Sequence, residues 1–165
     1  MVEIKTERLI LRPPGAEDAA DLFAVFSNAE AMRYWSKPMF TDPAQTLEYI
    51  DAVRCADPAS TAEFVVEFEG RVVGKAGFWR MPEVGYILHP DVWRRGLGEE
   101  ALRALMAYGF DTLKLSRITA DVDPDNAGSL ALLGKLGFVE TGRETNTLKI
   151  GDAWFDSVYL ERTAP

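Results

Sequence analysis

The stretch HPDVWRRGLGEEALRAL, residues 89–105, decides the fold, because it places two arginines and two glycines in the turn that opens an apolar-periodic helix. The first turn of a helix leaves about four backbone N–H groups without intrahelical partners, and the helix dipole adds about half a positive charge. Glycines keep side chains away from these N–H groups, while arginines add cationic donors. The pattern predicts an anion-binding turn formed by Arg94, Arg95, Gly96, Leu97, Gly98 and Glu99. An ordinary capping turn with two solvated arginines is the alternative.

The glycine spacing also fits the dinucleotide-binding pattern G-x-G-x-x-A, and Asp121 stands roughly where a ribose-binding acid would be. In that fold the first glycine follows its strand almost directly, whereas here residues 89–95 separate Gly96 from the strand end at Leu88. The nucleoside-triphosphate loop is excluded because the sequence contains no G-K-[ST]. We therefore expect a diphosphate ligand that is not a nicotinamide cofactor.

Length and composition restrict the class of protein. A chain of 165 residues with 47% hydrophobic residues can bury one self-sufficient core, so we expect a single domain over residues 1–165. Its 26 acidic and 18 basic residues give a net charge of −8, which disfavours nucleic acid and slightly favours a cationic partner. No apolar run is long enough to span a bilayer, so no membrane partner is expected. The single cysteine, Cys55, is expected to be a packed structural thiol in a cytoplasmic protein.

The first half of the chain predicts helices and antiparallel strands. Apolar and polar residues alternate over residues 4–11, which indicates a strand that ends before Pro13. Helical spacing of apolar residues predicts three helical segments, over residues 16–27, 29–34 and 43–55. Residues 62–80 then predict two strands joined at Glu69-Gly70.

The second half predicts the order βαβαββ. Its first strand begins at Glu83 and stops at Pro90. The remaining elements are a helix over residues 98–113, a strand over 117–122, a helix over 126–136 and strands over 138–145 and 154–160. The strand–helix–strand spacing implies a local parallel pair in an otherwise antiparallel sheet. We expect an α/β (α+β) fold with a mixed sheet of about seven strands flanked by helices.

The turn resembles the pyrophosphate loop of the GNAT superfamily of acetyl-coenzyme A dependent N-acetyltransferases, which has the form [QR]-x-x-G-x-[GA] after the fourth strand. Here the window is W-R-R-G-L-G, residues 93–98. Its tryptophan, and the run G-Y-I-L-H-P-D-V-W-R-R-G around it, resemble the RimJ/RimL-like branch. Four further segments resemble that branch in the right order: TERLILRP, FSNAEAMRYW, DPDNAGSLALLGKLGF and GDAWFDSVYL. The resemblance implies a GNAT-like domain with a splayed parallel strand pair, acetyl-CoA as co-substrate and an amine acceptor.

Acetyl transfer from a thioester to an amine requires a neutral amine, a site for the developing oxyanion and a proton for the leaving thiolate. By the resemblance, Glu83 is expected to accept the ammonium proton through water. Ser129 is expected to donate to the coenzyme sulfur, because Leu133 stands where many superfamily members carry a tyrosine. Asn126 is assigned to pantetheine or an ordered water, and its residue type also suits the N-cap of its helix.

The pantetheine arm in this family lies against the fourth strand like an added strand. That arrangement implies a backbone N–H near Ile87 or Leu88 for the oxyanion, and Gly85 permits a bulge there. His89, the only histidine, is expected to pack or bond near the cofactor rather than to act as a base. No metal is expected.

Several alternatives stay open at this point. Glu83 could be a solvated strand-end glutamate, and Glu67 is the reserve candidate for the base. Leu133 leaves room for a coenzyme A-binding sensor without catalysis, and a plain interaction domain is a third class. The sequence does not choose among a protein α-amine, a ribosomal protein, a polyamine, an amino-sugar antibiotic and an amino-acid derivative as acceptor. It does not separate a monomer from a homodimer either.

Overall fold

One continuous sheet carries helices on both of its faces. The computed structural model describes residues 2–165. The strands are β1 (Ile4–Lys5), β2 (Leu9–Arg12), β3 (Ala62–Phe68), β4 (Arg71–Arg80), β5 (Glu83–Leu88), β6 (Arg117–Val122), β7 (Val139–Ile150) and β8 (Ala153–Thr163). The helices are α1 (Ala19–Phe26), α2 (Ala44–Cys55), α3 (Leu97–Ala107) and α4 (Ala127–Lys135).

The sheet splits beside its only described parallel pair. The strand order is β1-β2-β3-β4-β5-β6-β8-β7, and the neighbours are antiparallel except for β5 and β6. These two strands pair at Glu83 and Thr119, and within residues 2–165 no further residues of the two strands are paired. The opening that widens from there toward Leu88 is the β5–β6 gap. The predicted mixed sheet with a splayed parallel pair is confirmed.

The described sheet has eight strands where about seven were expected. The strand predicted over residues 4–11 is interrupted by a turn, in which the Thr6 N–H donates to the Leu9 carbonyl at 3.0 Å. Its two halves therefore fold back as β1 and β2, with Ile4 opposite Leu11. The last two strands are longer than predicted, because their hairpin continues to the turn at Gly151.

Side chains alternate between two apolar layers on the sheet. Phe64 of β3 faces the layer of α3 and α4, while its neighbour Val65 faces α1 and α2. Three leucines of α3, Leu97, Leu102 and Leu105, are at most 1% exposed. Burying each such side chain contributes about 1.5–3 kcal/mol. The helix that follows the glycine-rich turn is thus held firmly against the sheet.

The helix predicted over residues 29–34 is wrong, because this segment forms turns. The Asn28 side chain accepts the Ala31 N–H at 2.9 Å, and the Asn28 carbonyl accepts the Met32 N–H at 3.0 Å. The first of these bonds is of the N-cap type that starts a helix, but the bonds that follow, such as that from the Trp35 N–H to the Met32 carbonyl at 3.0 Å, span only three residues, so no second α-helical turn forms.

The remaining helix predictions hold with altered ends. Helix α2 begins at Ala44, whose N–H donates to the Asp42 carboxylate at 2.8 Å. Helix α3 ends at Ala107 and continues as a π-helical turn over Tyr108–Thr112. Cys55 is exposed at the end of α2, so the expected packed thiol is wrong. Across residues 2–165, no helix combines the length and apolar character that crossing a membrane requires.

Candidate active site

The turn before α3 presents a run of free backbone donors. Arg94 and Gly96 have left-handed backbone, with φ of 58° and 76°, and Gly96 is the N-cap of α3. Within residues 2–165, the N–H groups of residues 94–99 donate to no protein acceptor. The first N–H to be bonded is that of Glu100, which donates to the Gly96 carbonyl at 3.1 Å. Free N–H groups at a helix start suit the oxygens of a diphosphate.

The two glutamates of this turn are neutralised by cations of the chain. Glu99 lies 2.9 Å from Arg103 and 2.5 Å from Lys135. Hydrogen bonds from Lys135 and Arg103 lower the pKa of the Glu99 carboxyl. Glu100 accepts from the backbone N–H of Arg8 at 2.8 Å and from its Nε at 2.7 Å. Both carboxylates are therefore engaged away from the free N–H groups.

The two arginines of the turn have different surroundings. Arg94 is exposed, and its side chain has no acceptor among residues 2–165. The Arg95 guanidinium lies 4.7 Å from the centre of the Phe68 ring, and the Arg95 carbonyl accepts from Arg8 at 2.9 Å. Arg94 is thus the freer of the two to meet an anion.

Trp93 ties the turn to the end of β5. Its indole N–H donates to the Leu88 carbonyl at 2.8 Å, and its side chain remains partly exposed. Tryptophan therefore has a structural use at the motif position where the superfamily form has glutamine or arginine.

The register of β5 decides which backbone groups face the gap. The His89 N–H donates to the Val73 carbonyl at 2.8 Å, so odd-numbered residues of β5 direct their N–H and C=O groups toward β4. Ile87 is one of them, and its assignment to the oxyanion needs correction for that reason. Tyr86 and Leu88 direct their backbone groups toward the β5–β6 gap, where the Leu88 carbonyl already accepts the Trp93 indole N–H. Leu88 keeps its place as a candidate, and Tyr86 joins it.

Ser129 and Asn126 lie together at the start of α4. The Asn126 side chain is the N-cap and accepts the Ser129 N–H at 3.1 Å. The Tyr86 hydroxyl donates to Ser129 Oγ at 2.8 Å, across the gap from β5. Leu133 is fully buried in the apolar core, so it does not line the gap.

The start of α3 closes the same space. A Cβ placed on Gly98 would lie 3.5 Å from Leu132 of α4 and 3.8 Å from Leu88 of β5. The turn before α3, the open edge of β5 and the serine of α4 therefore converge at the β5–β6 gap.

Glu83 stands where the gap begins, on the sheet face of α1 and α2. Partial burial and the nearby Asp121 carboxylate raise its pKa, against the opposing effect of Arg80. The pKa of Asp121 is raised by its own burial and by Glu144. Ser129 approaches the gap from the opposite face. A carboxylate and a hydroxyl on opposite faces of the gap suit proton transfer to and from a group lying between the two strands.

Two predicted residues lie outside this convergence. Glu67, the reserve base, is bound by Arg12 at 2.9 Å on β3. His89 Nδ1 accepts the Asp91 N–H at 3.3 Å, in a hollow beside Phe68 and α1. Across the described residues, no three His, Cys, Asp or Glu side chains are grouped to hold a metal ion.

Comparison with known proteins identifies the class. Residues 8–139 match the model of the acetyltransferase (GNAT) domain family, so the chain belongs to that family. It is an acetyl-CoA-dependent N-acetyltransferase with acetyl-CoA as co-substrate, which confirms the family and the activity class predicted above.

Individual relatives agree with this assignment. The uncharacterized N-acetyltransferase p20 of Bacillus licheniformis is 34% identical over 151 residues, covering 86% of this chain and 85% of the relative. The spermidine N(1)-acetyltransferase of Escherichia coli K12 is 29% identical over 141 residues, covering 80% and 73%. A crystal structure of a GNAT-family acetyltransferase from Bacillus anthracis superposes with a TM-score of 0.86 at 26% identity, covering 98% of both chains.

Proposed function

We propose that this protein acetylates a primary amine by direct attack in a ternary complex, as a member of the RimJ/RimL-like branch. The run of free N–H groups at residues 94–99, opening onto the gap that holds Glu83 and Ser129, carries the proposal. The branch rests on the motif G-Y-I-L-H-P-D-V-W-R-R-G. We take residues 1–165 as one catalytic domain in the cytoplasm, where acetyl-CoA is at hand, as a monomer or homodimer.

The turn before α3 and the strand β5 fit acetyl-CoA, the donor of the acetyl group. Free N–H groups of residues 94–99 suit the diphosphate, and Arg94 adds a charge-assisted contact. The gap-facing backbone of Tyr86 suits an amide-bearing arm lying beside the strand, and we assign the Leu88 N–H to the oxyanion. Asn126, already bonded to Ser129 through its oxygen, keeps its amide donors for the arm or for water. Acetyl-CoA, when bound, supplies the thioester carbonyl that the amine attacks.

Glu83 and Ser129 handle the two protons. Glu83 takes the ammonium proton of the acceptor through water, which leaves a neutral amine able to attack. A raised carboxyl pKa improves this base, because its pKa moves closer to the operating pH. Ser129, on the other face, donates a proton to the sulfur as the C–S bond breaks.

Replacing Ser129 by alanine is expected to lower kcat roughly tenfold or more, as loss of a general acid would. The Kd for acetyl-CoA should change much less, because the diphosphate contacts remain. Steady-state kinetics and calorimetry measure the two quantities. Ser116→Ala, outside the gap, is the matched control, and an unaltered kcat in Ser129→Ala would reject the serine as donor.

Replacing Asp121 by asparagine is expected to move the acid limb of the kcat/KM profile to lower pH. The Asp121 charge raises the pKa of Glu83, so its removal lets Glu83 ionise, and act as base, at lower pH. Profiles of both enzymes with one acceptor cancel the titration of the amine itself. Asp152→Asn, in the turn between β7 and β8, makes the same charge change elsewhere and should leave the limb in place. A limb that stays put in Asp121→Asn would contradict Glu83 as the base.

The acceptor side of the gap favours a cationic amine. Glu83, Asp121 and Glu144 place carboxylates there, and opposite charge raises the local concentration of a cation. The similarity to a spermidine N(1)-acetyltransferase points the same way. Protein N-terminal amines remain the second candidate, on the motif resemblance.

Thiol release from acetyl-CoA tests the function directly. The panel contains spermidine, an aminoglycoside, free amino acids and peptides with a free α-amine, and we expect the fastest turnover with a small cationic amine. Tight coenzyme A binding with no turnover on any of these acceptors would favour the sensor alternative instead.

A further inference from the structure

Tyr86 has a side chain that the mechanism above leaves unused. It lies on β5, and its hydroxyl reaches across the gap to Ser129 Oγ at 2.8 Å. Because position 133 is a buried leucine, α4 offers no tyrosine of its own at that place. The phenol nearest to the proposed donor therefore comes from the strand.

The hydrogen bonds of Ser129 leave its hydroxyl proton without a partner among residues 2–165. A serine hydroxyl has one donor proton and two acceptor lone pairs. Ser129 Oγ accepts from Tyr86, and the Ser129 N–H donates to Asn126. Within residues 2–165, the hydroxyl proton of Ser129 donates to no protein acceptor. An oxygen that accepts from Tyr86 directs its own proton away from Tyr86, where a ligand in the gap or water can accept it.

We propose that Tyr86 is a positioning residue, which holds Ser129 Oγ as an acceptor so that the serine proton points into the β5–β6 gap at the departing sulfur. This inference rests on the proposed role of Ser129 as donor. As the C–S bond breaks, its electron pair goes to sulfur, which takes the serine proton. The serine recovers a proton from water, and that water is restored by the proton that the acylated nitrogen loses.

Tyr86 suits positioning better than proton transfer. Burial raises the pKa of its phenol, against the opposing effect of the hydrogen bond to Ser129. The phenol stays protonated over the working pH range and remains a hydrogen-bond donor throughout. In this role, Tyr86 contributes to the reaction by setting the direction in which the Ser129 hydroxyl proton points.

The thiol of bound coenzyme A gives a readout that needs no acceptor. A hydroxyl donor aimed at sulfur stabilises the thiolate and lowers the pKa of the bound thiol. The ultraviolet absorbance of the thiolate, titrated on the protein–coenzyme A complex, measures this pKa. Tyr86→Phe is expected to raise it by about 0.7, a fivefold change in the ionisation constant. The same variant should lower kcat about fivefold, the effect of one hydrogen bond, without a matching rise in KM.

Companion variants separate the outcomes. Tyr108→Phe removes a hydroxyl that has no partner within residues 2–165 and should change nothing. Ser129→Thr keeps a hydroxyl and is expected to keep a low thiol pKa while Tyr86 is present. Adding Tyr86→Phe to Ser129→Ala should have no further effect, because Tyr86 acts through the serine.

The experiment distinguishes failure of the positioning role of Tyr86 from failure of the proposed role of Ser129 as proton donor. A thiol pKa unchanged by Ser129→Ala would remove Ser129 from its proposed role. A pKa raised by Ser129→Ala but not by Tyr86→Phe would overturn the positioning role alone. A further rise in the double variant would also overturn it, since Tyr86 would then act on sulfur independently.

Discussion

Replacing Lys75 by methionine is expected to lower the free energy of unfolding by about 3–5 kcal/mol. Lys75 Nζ lies 2.7 Å from Glu63 Oε2, and the two side chains are 5% and 1% exposed. Tyr49 donates to the same carboxylate oxygen at 2.9 Å, while Glu63 Oε1 has no hydrogen-bond partner among residues 2–165. Removing the ammonium leaves a buried carboxylate without a counter-charge, and desolvation then opposes folding.

Denaturant unfolding measures this effect. Lys114→Met, on the surface, is the matched control and is expected to shift stability by less than about 0.5 kcal/mol. Combining Lys75→Met with Glu63→Leu should recover most of the loss, because both charges of the pair are then gone. If Lys75→Met were as stable as the control, the buried ion pair would not exist as described.

Replacing Arg94 by glutamate is expected to weaken coenzyme A binding about 100-fold, through loss of a charge-assisted contact and new repulsion. The new carboxylate would stand beside the free N–H groups of residues 94–99, in competition with the diphosphate. Calorimetric titration with coenzyme A gives the Kd. The deficit should shrink as ionic strength rises, because salt screens the repulsion of exposed charges.

Two variants sharpen that result. Arg54→Glu makes the same charge change on α2 and should leave the Kd near that of the unmodified protein. Arg95→Glu is expected to have a smaller effect than Arg94→Glu, because the Arg95 guanidinium lies over Phe68. A Kd unaffected by Arg94→Glu would contradict a diphosphate contact from that side chain.

Much of the fold could be predicted from residues close together in the sequence. Gly70, with φ of 77°, sits where Glu69-Gly70 predicted a hairpin, and Asn126 caps α4 as its residue type suggested. The prediction for residues 29–34 failed for an equally local reason. After one turn, hydrogen bonds that span three residues replace the α-helical bonds, and apolar periodicity over six residues does not distinguish the two patterns.

The candidate site depends on contacts between distant residues. From the sequence, Asp121 is considered only as a ribose-binding acid. Its position near Glu83 follows from the pairing of β5 with β6. Tyr86 and Ser129 are 43 residues apart, so no spacing rule joins them. In the sequence, Lys75 and Glu63 each stand between apolar residues, as solvent-exposed polar residues of a strand often do. Only the folded structure shows that a layer covers each face of the sheet and that the two charges are buried together.

The sequence by itself determined the turn of residues 93–98, the order of the elements from β3 onward and the family, because glycine conformation, capping and periodicity are short-range properties. Only the tertiary structure decided that the backbone groups of Leu88 and not those of Ile87 face the gap, and that the Arg95 side chain lies over Phe68 while Arg94 stays free. Those outcomes depend on strand register and on which layers meet. A shift of one residue in register would exchange the backbone groups offered to the gap.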